Sequence, residues 1–137
     1  MPQTLKDLLA IGADAAPALA APGRPVLTHA ALRAQVAATL GTLNTLGIGR
    51  GDRVAIVLAN GPEMAACYIA CASGVTSAPL NPAYRADEFE FYLKDLNAKA
   101  LVVEVGSVSP AIEVAQTLGV RLLDLVVAEG AAAGAFT

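Results

Sequence analysis

Tryptophan is missing from the sequence, aromatic residues make up only 4% of it, and histidine occurs once, at His29. Proteins that bind nucleic acid combine basic stripes with aromatic stacking platforms. Nine Lys and Arg in a chain of net charge -3 offer no such surface. Charge of either sign is scarce as well, at 15% of residues, against about 25% in ordinary soluble domains. Hydrophobic residues reach 55%, so the core is built from Ala, Val, Leu and Ile. A surface this poor in charge is either covered by something else or prone to self-association. At 137 residues the length suits one domain with a sizeable core.

One histidine and two cysteines leave a metal site short of ligands. Cys67 and Cys71 stand four residues apart on one face of a predicted helix, a poor geometry for a disulfide. They read as small apolar residues packed inside a reduced, cytoplasmic protein. The N-terminal stretch MPQTLKDLLAIGADAAPA lacks the charged start and continuous apolar core of a signal peptide. Residues 64–84 carry no charge, but Gly74, Pro79 and Pro82 interrupt them. A spanning helix needs about 20 apolar residues in a row, so this window predicts a buried helix followed by a buried strand, not a transmembrane segment.

What is present is a regular alternation. TLKDLLA predicts a short helix, and PALAA and PVLTH flank the turn Pro22-Gly23-Arg24-Pro25 as a small β-hairpin. Thr28 offers a helix cap. After it, Leu32, Val36, Leu40, Leu43 and Leu46 recur at helical spacing until Gly47. RVAIVLA reads as a strand covered on both faces. Asn60-Gly61 then turns into Pro62 and Glu63, good first-turn residues for the helix PEMAACYIACAS. This helix is apolar nearly all round, which predicts cover on both sides. TSAPL, KALVVEV and RLLDLVVA read as further strands, separated by the helices ADEFEFYLKDLN and SPAIEVAQTLG. Ser109 is the expected cap of the last helix and Gly119 its stop. Strands joined by helical crossovers give an α/β fold: a layered, mostly parallel sheet flanked by helices, with the hairpin at its N-terminal side. The boundaries fall at 1–127 for the folded unit and 128–137 for a tail, EGAAAGAFT at its end, expected to be poorly ordered or cut mid-domain.

Ligands on such sheets gather at the carboxyl ends of the strands, here Asn60, Asn81, Glu104 and Glu129. No glycine-rich phosphate cradle follows any of them: ANGPEM is not GxGxxG, and GxxxxGK[ST] is missing. His29 lacks a nucleophile at a workable spacing. Tyr84 and Arg85 stand out, because an arginine at the start of a helix opposes the helix dipole. Either Asp87 and Glu88 neutralise it locally or it meets an anionic ligand at the end of TSAPL. Catalysis supplies about 8–23 kcal/mol of barrier lowering. The chain assembles no nucleophile, base and charge-stabilising group to do so, and no catalytic residue is assigned.

Three stretches carry a resemblance: LGIGRGDRVAIVLANGPEM, ACASGVTSAPLNPAY and EFEFYLKDLNAKALVV. In this order and spacing they resemble the N-terminal part of the AMP-forming acyl- and aryl-CoA ligases, the adenylate-forming superfamily. Gly51 to Glu63, Pro79 to Tyr84, and Glu88 with Phe89 match, as do Asp95 to Lys99 apart from Leu96. The likeness covers residues 5–127. It implies the N-terminal subdomain of the adenylate-forming large domain, roughly the first quarter of an enzyme, ending before the phosphate loop and the other catalytic motifs. The whole enzyme would use ATP, Mg and CoA to activate a small-molecule carboxylate, whether aliphatic as in fatty acid metabolism, aromatic or dicarboxylic. The fragment itself would bind no cofactor. The segment matching NPAYR lies toward the side where CoA approaches in some members. That makes Tyr84 and Arg85 the CoA-side candidates, although Arg85-Ala86 replaces the Ser/Thr-Pro common there. The remainder of the ligase chain is the implied partner, covering an apolar face that would otherwise self-associate. Two alternatives stand beside this: a stand-alone interaction module of the same fold, and a small α/β protein binding a nucleotide or CoA by itself.

Overall fold

The computed structural model describes residues 1–137. A short helix α1 (Leu5–Leu9) leads into the strands β1 (Pro17–Leu19) and β2 (Leu27–Thr28). These pair antiparallel with a register shift between Pro17 and Leu19. The turn between them closes one residue earlier than the sequence suggests, with the Arg24 N–H donating to the Ala21 carbonyl at 3.2 Å. Gly23 takes the left-handed φ of 72° that this turn needs.

The rest alternates: α2 (His29–Thr45), β3 (Arg53–Val57), α3 (Pro62–Ala72), β4 (Thr76–Pro79), α4 (Ala86–Asp95), β5 (Ala100–Glu104), α5 (Ala111–Leu118) and β6 (Arg121–Leu125). Strands β3 to β6 form one parallel sheet in the order β4-β3-β5-β6. The alternation of side chains along each strand splits the core into two layers. Val54, Ile56, Leu58, Ala100, Val102 and Leu125 face α2 and α3, which bury Leu32, Val36, Leu40 and Leu43 and the α3 residues Ala66, Cys67, Ala70 and Cys71. Ala55, Val57, Leu101 and Val103 face α4 and α5, under Phe89, Leu93, Ala111 and Ala115.

Local signals explain the ends of these elements. The Thr28 hydroxyl accepts the Ala31 N–H at 3.2 Å and caps α2. Gly119 ends α5 at φ 71°. Ser109 is not the formal cap of α5, because Pro110 already has helical angles and occupies that position. The Ser109 hydroxyl still serves the first turn, accepting the Ala111 N–H at 3.2 Å. Cover of α3 is one-sided through its middle: Tyr68 remains exposed, since α2 and the sheet occupy only the inner face. Gly74 lets the chain leaving α3 touch α2, where a Cβ would stand 2.6 Å from Leu40 Cδ2.

Residues 128–137 form no helix or strand, yet they fold back over the N-terminal half. The Arg24 guanidinium donates to the Ala131 and Ala132 carbonyls at 3.3 and 2.9 Å. Gln35 holds the segment from both ends of its amide, donating to Gly134 O at 2.6 Å and accepting from Phe136 N at 3.1 Å. Ala133 is fully buried.

Candidate functional site

The carboxyl ends of β3, β4 and β5 line up along one edge of the sheet. The helix after β3 crosses to the α2 face, while those after β4 and β5 lie on the opposite face. Neighbouring strands whose helices part in this way open a crevice between their ends, the usual place for a ligand on such a sheet. Here that switch point falls between the Leu58–Gly61 segment and the Glu104–Gly106 segment, since Val57 is in register with Val103. Asn60 and Asn81 end adjacent strands, and Glu104 lies across β3 from Asn81. Glu129 does not belong here: β6 stops at Leu125, and Glu129 sits in the turn beyond it.

The end of β4 is built stepwise. Leu80 N donates to Ile56 O at 2.9 Å and carries the parallel register one residue past the strand. The Asn81 side chain then accepts the Ala83 N–H at 2.9 Å, and its carbonyl accepts the Tyr84 N–H at 3.1 Å, folding NPAY into a tight turn. Tyr84 is held by aromatic packing, stacked on Tyr92 at 5.2 Å and edge-to-face with buried Phe89 at 5.8 Å. The neighbouring Tyr92 hydroxyl, with desolvation and the Glu88 carboxylate adding to it, pushes the Tyr84 phenol above its ordinary range.

Arg85 precedes the first turn of α4, and its backbone N–H donates to Glu88 Oε2 at 2.9 Å. Its guanidinium is 81% exposed and meets Asp87 at 3.6 Å and Glu88 at 4.0 Å. Exposed pairs at such distances contribute little, so the guanidinium retains donors for a phosphate or carboxylate. The turn thus leaves Tyr84, packed on Tyr92 and Phe89, and the accessible Arg85 cation next to it in sequence at one corner of the sheet edge.

His29 opens α2 and packs against Gly12, where a Cβ would lie 2.2 Å from Nδ1; that nitrogen is buried without a partner. No three His, Cys, Asp or Glu side chains come together to hold a metal ion. Both cysteines are free and buried, and the neighbouring Cys71 and burial together push the Cys67 thiol well up. No helix is long and apolar enough to cross a membrane.

A second feature escapes sequence reasoning. At the β6 edge, an open and largely apolar groove of about 670 Å³ runs between α2, β6 and residues 135–137, floored by Cys67, Cys71 and Val102. The small residues on the flank of α2, Ala31, Ala34 and Ala38, were its trace in the sequence, one helical step round from the leucine stripe.

The sequence profile of the AMP-binding enzyme family matches residues 12–134. Oxalate–CoA ligase of Arabidopsis thaliana is 39% identical over 103 residues, which are 74% of this chain and 20% of that protein. A probable CoA ligase of Humulus lupulus is 37% identical over 95 residues, 69% of this chain and 18% of that protein. The chain thus spans about a fifth of the length of these relatives. Among solved structures, o-succinylbenzoate CoA synthetase of Bacillus subtilis in complex with AMP aligns with a TM-score of 0.73 at 25% identity, covering 90% of this chain and 31% of that one. MatB of Rhodopseudomonas palustris with ATP bound aligns with a TM-score of 0.79 at 23% identity, over 92% of this chain and 26% of that one, and shares the fold.

Proposed function

Because this chain belongs to the AMP-binding enzyme family, we propose that it is the N-terminal portion of an ATP-dependent acid–CoA ligase. The observation that carries this reading is the similarity along most of the chain to proteins named as CoA ligases. In the proposed reaction a carboxylate oxygen attacks the α-phosphorus of ATP and pyrophosphate leaves. The CoA sulfur, its proton given up, then attacks the acyl carbon, and AMP leaves with the thioester formed. Residues 1–127 act as the scaffold of the large domain, and 128–137 pack back onto it through Arg24 and Gln35. The reacting groups, and the Mg that accompanies ATP, belong to the polypeptide that follows. The cytoplasm is the compartment that suits this reaction, and a fatty, aromatic or dicarboxylic acid its substrate. The test is the size of the native polypeptide, read by immunoblot with an antibody against residues 1–137. A band several times larger than 13.8 kDa, forming AMP and a thioester from ATP, CoA and one of a panel of acids, is the expected result. A band at 13.8 kDa would defeat the reading and favour a stand-alone module.

Within that reading Arg85 and Tyr84 are the CoA-side contact, with Arg85 as phosphate donor and Tyr84 as its support. In the full-length ligase Arg85→Ala is expected to raise the KM for CoA about tenfold, equivalent to about 1.4 kcal/mol. Acid-dependent ATP–pyrophosphate exchange, which precedes CoA, stays unchanged. Arg85→Lys restores part of the loss as a point charge. An unaltered KM for CoA would remove Arg85 from the site.

A further inference from the structure

Cations that the sequence scatters are collected by the topology. In a parallel sheet every strand starts at the same edge, and here Arg53 opens β3, Lys99 immediately precedes β5 and Arg121 opens β6. Lys99 N donates to Arg53 O at 2.8 Å, and Arg121 is in register with Ala100. The three therefore stand on neighbouring strand ends, which lie about 4.8 Å apart. Arg50 joins them from the turn before β3. All four are exposed, and the ion pairs of the molecule are made by other cations, Arg24, Arg33, Arg85 and Lys94. Two carboxylates share this edge: Asp52, which accepts the Gly49 N–H at 2.9 Å, and Asp95 at the end of α4. Glu63, Asp87, Glu88 and Glu113 lie in first turns of helices, and Glu104 ends β5, all at the opposite edge. Five-residue strands hold the two edges about 17 Å apart, farther than the Debye length of about 8 Å at physiological salt. The amino edge thus presents an excess of cations although the chain carries a net charge of -3.

We propose that the amino edge of the sheet is an electrostatic docking surface for an anionic lipid bilayer, with Arg50, Arg53, Lys99 and Arg121 set against the headgroups. The connections that form this edge, residues 46–52, 73–75, 96–99 and 119–120, are short. None of the large apolar side chains left exposed belongs to them. A protein partner meets an apolar, aromatic-rich core in a typical interface, and this edge has none to offer. A headgroup layer needs only accessible cations on a surface free of obstructing loops. The C-terminal ends of the helices also meet this edge, and their dipoles draw cations to it; that attraction leaves the exposed donors unused. With no side chain placed to enter the acyl chains, the attachment is peripheral, reversible and sensitive to salt. It leaves the carboxyl edge, with Asn81 and Arg85, turned to solution. The inference is independent of the ligase reading, because both chain conditions, ligase portion or stand-alone module, keep the same four cations on the same strand ends.

The test measures flotation of the intact native polypeptide with vesicles of pure phosphatidylcholine and of phosphatidylcholine containing about 30% phosphatidylserine. Binding is expected on the second kind alone, and it should fall steeply between about 0.05 and 0.5 M salt. Each cation at an anionic surface is equivalent to about a fivefold change in partitioning, so Arg53→Gln combined with Lys99→Gln lowers it about 25-fold. Lys6→Glu, which changes the net charge by the same amount on exposed α1, should leave partitioning within about twofold of the native value. No partitioning, or equal partitioning onto both kinds of vesicle, overturns the proposal. A loss as large in Lys6→Glu as in the double variant assigns the effect to net charge and overturns it too. Binding of polyglutamate without binding of vesicles gives the edge to an acidic protein instead. Urea midpoints show whether the variants are folded. Should the double variant unfold, Lys99→Gln alone, with an expected fivefold loss, and the salt dependence of the unaltered protein decide the matter.

Discussion

Phe89→Ala is expected to cost about 3–5 kcal/mol of folding stability, the usual range for an aromatic deleted from a packed core. Phe89 is fully buried and is the largest such side chain in the molecule. It anchors a core layer of only eight buried residues, in which Ala55, Ala111 and Ala115 are too small to move into the space it leaves. A domain of ordinary stability has about 5–15 kcal/mol in total, so the variant stands near the unfolding threshold. The loss also reaches the candidate site, because Phe89 supports the edge of Tyr84 at 5.8 Å. Phe89→Leu refills most of the volume and is expected to lose less than half as much. Urea unfolding of the three proteins checks the order: a lower midpoint with unchanged slope is a loss of stability with the same surface exposed on unfolding. A cost below about 1 kcal/mol for the alanine variant would show that α4 and α5 close over the cavity.

RVAIV and ALVVE announce buried strands because a parallel sheet hides both faces, and no choice of phase blurs a continuous apolar run. Thr28 and Gly119 announce helix ends because caps act through neighbours three or four residues away. The corner at Asn81–Arg85 is legible for a similar reason: its Asx turn and the Glu88 bond to the Arg85 N–H are local. The strand order is not legible, since nothing in β4 or β5 says on which side of β3 each will lie. The packing of residues 128–137 is hidden for a different reason. Its ties run from Arg24 and Gln35 to backbone atoms about 100 residues away in sequence, and a backbone carbonyl looks the same in every residue. Arg33 is similar: it donates to Leu9 O and Gly12 O at 2.9 and 3.0 Å and pairs with Asp14, fastening α1 to α2.

Glu63→Ala is expected to destabilise the fold by about 1.5–3 kcal/mol at neutral pH, the range for hydrogen bonds to a charged group, and to free residues 131–137. The Glu63 carboxylate, in the first turn of α3, meets Arg24 Nη1 at 2.5 Å and accepts the Gly134 N–H at 3.3 Å. Gly134 can come this close because it has no side chain: at φ 90° a Cβ would stand 2.8 Å from Leu19 and 3.0 Å from Pro62 O. Desolvation is the largest single influence on Glu63 and acts to raise its pKa. The Arg24 hydrogen bond, the Glu63 and Gly134 N–H groups and the Arg24 charge together outweigh it and hold the carboxyl below its ordinary range. A folded pKa below the unfolded one means that the stabilisation is complete above the unfolded value, about 4.3. It is lost as pH falls through the folded value. The stability gap between the native protein and Glu63→Ala should therefore be widest at pH 7, begin to narrow below the unfolded value and close only as pH falls through the lower folded one, where the native carboxylate is neutralised too. Urea midpoints at pH 7 and pH 2, with exchange at the Ala133 and Gly134 amides as the local readout, check both parts. A gap of equal size at the two pH values would mean that Glu63 acts by filling space, leaving Arg24 and Gln35 to hold the C-terminal segment without it.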